Sequence, residues 1–226
     1  MLQGGKGLSA SALKYLACLF MLIDHIGYLL FPQAEILRII GRPAFPIFAF
    51  MIANGYLHTK SPGRYLLRLA VFAAAFQWFY AYMMDDDRLS VLFTLATGLA
   101  AIWLADTLDK KIGGRALSYG CQLAIMAAAA VGAELADMEY GWYGVALICT
   151  AWLFFDRVQL LAIVWALLTG VFVFAFDGWI FQLFAVITPA LLYFYNGKPG
   201  PGGKWFFYIF YAAHIAVLYL IKVIAF

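Results

Sequence analysis

The chain has 226 residues, 66% hydrophobic and 12% charged, with a net charge of +3. A soluble domain carries about 25% charged residues, so this composition excludes one. The small net charge, with no basic run or RNA-binding motif, excludes a nucleic-acid partner. Apolar blocks are continuous, without the alternating segments of about ten residues that mark a membrane β-barrel. The expectation is an all-α, polytopic integral membrane protein with a single transmembrane domain over 1–226.

Residues 1–10 form a polar, Gly-rich lead. Lys6 and Lys14 followed by an apolar run resemble the first two parts of a signal peptide. The run is long, contains Asp24-His25 and lacks a small-residue cleavage site, so it reads as a spanning helix. In chain order, the apolar blocks predict nine helices: 11–31, 36–57, 65–84, 90–106, 116–136, 142–155, 159–176, 179–195 and 205–226. The weak point is Asp156-Arg157, a very short connection between the sixth and seventh. If those two form one re-entrant unit, the count drops and the far end flips. An Ala tract at Ala127–Ala130 suits close helix approach. Cys18, Cys121 and Cys149 lie in apolar runs without a CxxC neighbour, so they read as packing residues and no metal is expected.

Numbered alternately, the connections separate by charge. The lead and the loops 58–64, 107–115, 156–158 and 196–204 carry Lys6, Lys60, Arg64, Lys110, Lys111, Arg115, Arg157, Lys198 and Lys204. The loops 32–35, 85–89, 137–141 and 177–178 carry Glu35, Asp85, Asp86, Asp87, Asp137, Glu139 and Asp177, with Arg88 as their only base. The positive-inside rule then puts the N-terminus in the cytoplasm and the C-terminus outside, in a cytoplasmic (inner) membrane.

The core hairpin 11–57 carries Asp24, His25 and Arg42 inside its apolar runs. A charge near the middle of a spanning helix costs about 2.5–3.5 kcal/mol on insertion scales, and such residues face partners or water-filled cavities. His25 precedes Pro32 by seven positions and Arg42 follows Glu35 by seven. At 1.5 Å per residue both lie roughly 10 Å below the same surface. Asp24 is placed to pair with Arg42 or to orient a ring. Pro43 and Pro46 predict a kink beside Arg42, which opens ligand space or is a plain packing kink. His214 falls near the middle of the last helix. Asn54, Thr94, Gln77 and Gln182 are further polar residues in apolar runs, for which an interhelical hydrogen bond is the plain reading. The loop Asn196–Lys204 reads either as a flexible turn or as a phosphate site, with its glycine N–H groups flanked by Lys198 and Lys204. His58, Lys60 and Arg64 face the same side.

The runs Ile23-Asp24-His25-Ile26-Gly27 and Ile40-Gly41-Arg42-Pro43-Ala44-Phe45-Pro46-Ile47-Phe48-Ala49-Phe50 resemble the TraX family of conjugation-associated membrane proteins. So do Leu92-Phe93-Thr94-Leu95, Tyr140-Gly141-Trp142-Tyr143-Gly144, Tyr195-Asn196-Gly197-Lys198, and Phe206–Tyr211 with His214. The likeness spans nearly the whole chain, in order. It departs at Asn54, where an acidic residue is expected, and at Ala212-Ala213, where a proline is expected before His214.

The resemblance implies N-terminal acetylation of pilin subunits. It extends to the transmembrane acyltransferases that use acetyl-CoA and an intramembrane histidine. That role carries to His25, with Arg42 stabilising developing negative charge and Asp24 fixing the ring or balancing Arg42. Cytoplasmic acetyl-CoA is then expected at Lys60, Arg64, Asn196, Lys198 or Lys204. Asn54, Thr94, Tyr140, Trp142 and His214 are expected on the acceptor side. The acceptor is a peptide amine such as a pilin N-terminus, or else a sugar or cell-envelope hydroxyl. A different class of reading is a transporter, with Asp24, His25 and Arg42 as a proton relay, or a scaffold for secretion or conjugation machinery. Transporters often show duplicated halves, and no such duplication is seen.

Overall fold

The computed structural model describes residues 7–112, 114–176 and 178–225, and only the backbone of Arg115 and Lys204. Lys6 and Asp177, which entered the charge pattern, lie outside the described residues, as do the side chains of Arg115 and Lys204.

The elements are α1 (Ala10–Leu29), α2 (Glu35–Gly41), α3 (Ala44–His58), α4 (Pro62–Met84), α5 (Val91–Asp109) and α6 (Arg115–Leu135). They continue with α7 (Gly141–Leu153), α8 (Val158–Ala175), a 3-10 helix (Ile180–Ile187), α9 (Thr188–Tyr193) and α10 (Lys204–Ala225). Ser9 starts α1 by accepting the Ala12 N–H on its hydroxyl, and Pro62 opens α4, where its missing N–H costs nothing. Among the described residues, seven segments are long and apolar enough to cross a membrane: α1, α2 with α3, α4, α5, α6, α8 and α10. Two shorter apolar segments, α7 and Ile180–Tyr193, complete the series. The protein is a polytopic, all-α membrane protein. Large apolar side chains such as Trp78, Leu135 and Phe174 are exposed on its outside, as lipid-facing residues are.

The structure shows the expected kink in the second span and corrects the eighth helix. The second span breaks between Gly41 and Ala44, because Pro43 has no N–H to continue the ladder of α2. The predicted eighth helix is mostly 3-10. Pro189, in the first turn of α9, cannot extend an α-helix from upstream, so the preceding turns stay in the tighter, longer-rising form. At about 2.0 Å per residue, then 1.5 Å, this 14-residue segment reaches about 25 Å. α7, with 13 residues, reaches only about 20 Å.

The loops gather at two ends. At one end the chain start pairs with the turn before α10: Leu8 exchanges backbone bonds with Phe194 and Asn196, and Ala10 and Ser11 donate to Lys198 and Pro199. At the other end, Leu89 and the 137–139 segment exchange backbone bonds, and the Tyr28 hydroxyl at the end of α1 donates to the Met84 carbonyl at the end of α4. These are the basic and acidic ends of the charge pattern. α3 runs between them as the buried centre, packed by α1, α5 and α7. Phe45, Ile47, Ala49 and Phe50 along it are buried.

Candidate functional site

One cavity of about 410 Å³ follows α3 from Arg42 to Thr59, a rise of about 25 Å. That volume is in the range of small-molecule sites. Its acidic end is walled by Asp24, His25, Arg42, Glu139 and Tyr140, and its basic end by Lys14, His58, Thr59 and Arg68. Phe48, Phe72 and Phe207 line the stretch between.

Two polar groups stand at the acidic end. The first is an ion network at the crossing of α1 and α2. Asp24 accepts from Arg42 on one carboxylate oxygen and from Arg38 on the other, the latter at 2.6 Å. Arg38 also donates to the Asp24 carbonyl at 2.9 Å, and Arg42 Nε to the Arg38 carbonyl at 3.1 Å. The Trp179 ring lies 4.4 Å from the Arg38 guanidinium carbon and 4.8 Å from that of Arg42, near enough for cation–π attraction to both. Arg42 also reaches the Gln182 side-chain carbonyl, at 3.4 Å. Behind it, Gln182 contacts the Tyr143 hydroxyl, which bonds Thr169. Two guanidinium groups share one carboxylate, so the cluster carries one net positive charge at the cavity wall. The crossing needs Gly41: a Cβ there would lie 2.8 Å from the Asp24 Cα, too close for backbone to yield cheaply.

The second is a histidine pair. His25 Nδ1 and His214 Nε2 are 2.7 Å apart, and His214 Nδ1 is 2.8 Å from the Phe210 carbonyl. A carbonyl only accepts, so His214 Nδ1 carries a proton. With both rings neutral, His214 Nε2 is then the acceptor and His25 Nδ1 the donor. That leaves His25 Nε2 as a bare lone pair on a ring that lines the cavity. Phe210 stacks on His214 at 5.0 Å between centroids and holds its plane.

The remaining sequence candidates divide. Tyr140 lines the cavity, stacked on Phe45 with centroids 3.9 Å apart. Asn54 accepts the Tyr195 hydroxyl, Thr94 donates to the Glu139 carbonyl, and Trp142 packs on Tyr143 and Phe172. None of these three lines the cavity. Asn196 closes a turn, donating to the Gly7 carbonyl and accepting the Lys198 N–H. Lys60, Arg64 and Lys198 are exposed at the basic end and outside the cavity lining. The cations that do line it there are Lys14, over the Phe207 ring at 5.3 Å, and Arg68, beside the Tyr208 hydroxyl.

Sequence reasoning missed Lys14, Arg68, Arg38, Trp179 and Glu139. Arg38 had a signal, since it precedes Arg42 by four positions and so shares its helix face. Lys14 had one too, since eleven positions before His25 is about three turns back on the same face of α1; Arg68, Trp179 and Glu139 had none, because what brings them to the site is contact between distant segments.

A family model described as TraX protein matches residues 9–222. The chain is 28% identical over 239 aligned positions to the probable fimbrial assembly protein FimC, serogroup H1, of Dichelobacter nodosus, covering 93% of this chain and 94% of that one. It is 58% identical over 44 residues to the uncharacterized protein RP591 of Rickettsia prowazekii (strain Madrid E), a stretch of 20% of this chain and 18% of that one. No solved structure matches.

Proposed function

The chain belongs to the TraX family, which is associated with pilin acetylation and conjugation, and on that premise we propose that it is a membrane-embedded acetyltransferase. It moves an acetyl group from acetyl-CoA, taken at the basic, cytoplasmic end, to an acceptor at the opposite, outer end. The observation that carries this reading is the chain of bonds from the Phe210 carbonyl through His214 to His25. It ends in a bare Nε2 on the wall of a cavity lined from one end of the protein to the other.

The cavity suits such a donor. Lys14 and Arg68 supply positive charge for phosphates, and Lys14 precedes His25 by eleven residues on α1, about 16 Å along the axis. A donor that fits both must hold its reactive carbonyl at the end of a long, narrow arm, as the pantetheine thioester of acetyl-CoA does. The nucleotide stays at the mouth.

For an amine acceptor, the nitrogen lone pair attacks the thioester carbonyl. A C–N bond forms, the C–S bond breaks, and His25 Nε2 takes the N–H proton. The departing thiolate receives that proton and leaves as the free thiol. The single net positive charge of Asp24, Arg38 and Arg42 stabilises the negative charge on the carbonyl oxygen in between. Gln182 and Trp179 hold Arg42 in place for it. The name of the Dichelobacter relative, a fimbrial assembly protein, supports a fimbrial or pilin subunit as acceptor.

The test is label transfer. Protein reconstituted in lipid receives acetyl-labelled acetyl-CoA and either a membrane-inserting peptide with a free N-terminus or a glycan. Wild type labels an acceptor and His25→Ala does not. Equal transfer by His25→Ala refutes the assignment.

A further inference from the structure

We propose that Thr169, buried in α8 and outside the cavity lining, is a positioning residue for Arg42, acting through Tyr143 and Gln182 to fix how the guanidinium is turned. Its effect on rate rests on the transferase reading; the positioning itself does not.

Four segments meet behind the cavity wall, and each brings one polar group to the meeting point. Thr169 lies in α8, Tyr143 in α7, Gln182 in the 3-10 helix and Arg42 at the break between α2 and α3. All four are at most 5% exposed, so each depends on the others for its partners. The Thr169 hydroxyl lies 2.7 Å from the Trp165 carbonyl, one turn back, and 2.9 Å from the Tyr143 hydroxyl. Gln182 spans the rest. Its Nε2 is 3.4 Å from the Tyr143 hydroxyl and its Oε1 is 3.4 Å from Arg42 Nη1.

The two ends of this row fix every proton in it. A carbonyl only accepts, so Thr169 spends its proton on Trp165 and accepts from Tyr143. Tyr143 therefore offers Gln182 a lone pair. A guanidinium only donates, so Gln182 turns Oε1 to Arg42 and its NH₂ to Tyr143. The demands from the two ends agree. Without the Thr169 hydroxyl, the Tyr143 proton loses its acceptor and turns to Gln182. The amide then flips to receive it, and its NH₂ faces Arg42, donor against donor.

Arg42 has five N–H donors. Three are spent, one from each nitrogen, on the Arg38 carbonyl, Asp24 and Gln182. The other two belong to a side chain that lines the cavity, and are left for a developing oxyanion. Losing Gln182 lets the guanidinium plane swing about the line through the two nitrogens still held, which takes those donors off their target.

The experiment separates hydroxyl from shape. Thr169→Val keeps the shape of the side chain and removes the hydroxyl, whereas Thr169→Ser keeps the hydroxyl and removes a methyl group. Tyr143→Phe breaks the row one step further on. The full chain, labelled with 5-fluorotryptophan in lipid nanodiscs, is read by fluorine NMR at Trp179. That ring lies 4.8 Å from the Arg42 guanidinium carbon, and the signal lost in Trp179→Phe identifies it. Thr169→Val and Tyr143→Phe should both shift the Trp179 signal, and Thr169→Ser should return it to the wild-type position. In turnover, the first two should lower kcat at least tenfold, the scale of one hydrogen bond to a charged group. KM for acetyl-CoA should stay unchanged, and Thr169→Ser should restore kcat. A shift in Thr169→Ser with none in Thr169→Val marks a packing role and overturns the proposal. So does a signal unmoved in both Thr169→Val and Tyr143→Phe. A Trp179 signal that follows the hydroxyl in a protein that transfers no acetyl sustains the positioning and sinks the transferase reading instead.

Discussion

Asp24→Asn is the sharpest test of the ion network. In wild type, each carboxylate oxygen takes one charge-assisted bond, and the three side chains are nearly inaccessible. Asparagine keeps one acceptor oxygen and turns an NH₂ toward the other guanidinium. The local charge rises from one positive to two. Losing one partner of a buried pair costs about 3–5 kcal/mol. Part is recovered, because Arg38 keeps its bond to the Asp24 backbone carbonyl and both guanidinium groups keep the Trp179 ring. The expected loss is therefore about 3 kcal/mol, read as the shift in reversible unfolding of the helical protein in mixed micelles. A second substitution decides the mechanism. Arg38→Gln in the Asp24→Asn background returns the cluster to one net positive charge and should restore at least half of the loss. A loss under about 1 kcal/mol for Asp24→Asn, or simple additivity of the two substitutions, refutes the reasoning.

Four further outcomes are expected. His214→Phe fits beside Phe210 but frees the His25 tautomer, so kcat should drop about a hundredfold with acetyl-CoA binding intact, measured by single-turnover kinetics. Gly41→Ala puts a methyl group against the Asp24 backbone and should cost about 1–3 kcal/mol in the same unfolding assay. Lys14→Gln combined with Arg68→Gln should raise KM for acetyl-CoA more than tenfold and leave KM for the acceptor peptide alone, by initial-rate kinetics. Burial pushes the Glu139 carboxyl up from its ordinary value near 4.5, with Asp86 adding to the rise and Arg88, Tyr80 and the Val91 N–H opposing it. The folded state thus keeps a proton that the unfolded chain has lost, so stability should fall as pH rises above about 4.5 through the native value. Glu139→Gln should flatten that part of the melting-temperature profile.

Helix positions were legible because the bilayer demands long apolar blocks, and the nine predicted segments match the observed ones within a few residues. Charge alternation sorted the loops onto the two ends that the structure brings together. The 3-10 turns before Pro189 were not foreseen, since their composition is that of any apolar helix and only the effect of the proline on the preceding residues distinguishes them. At the site, His25 and Arg42 were expected to meet at matching depth, but the structure gives His25 to His214 and Arg42 to Asp24. Asp24 spends both oxygens on arginines, so the alternative in which it orients a ring is taken up by His214 instead. Each histidine was conspicuous by itself, but no local pattern joins residues so far apart. Glu139 looked like one more loop acid, because its contacts with Tyr80 and Val91 come from separate helices.

The two histidines lie 189 positions apart and meet only when α10 docks against α1. A ribosome adding roughly 5–20 residues per second makes the second about 10–40 s after the first. Through that interval His25 lacks the ring that fixes its tautomer. On the proposed mechanism, a product truncated before α10 should therefore transfer acetyl no faster than His214→Phe does, so full activity would wait for α10 to dock.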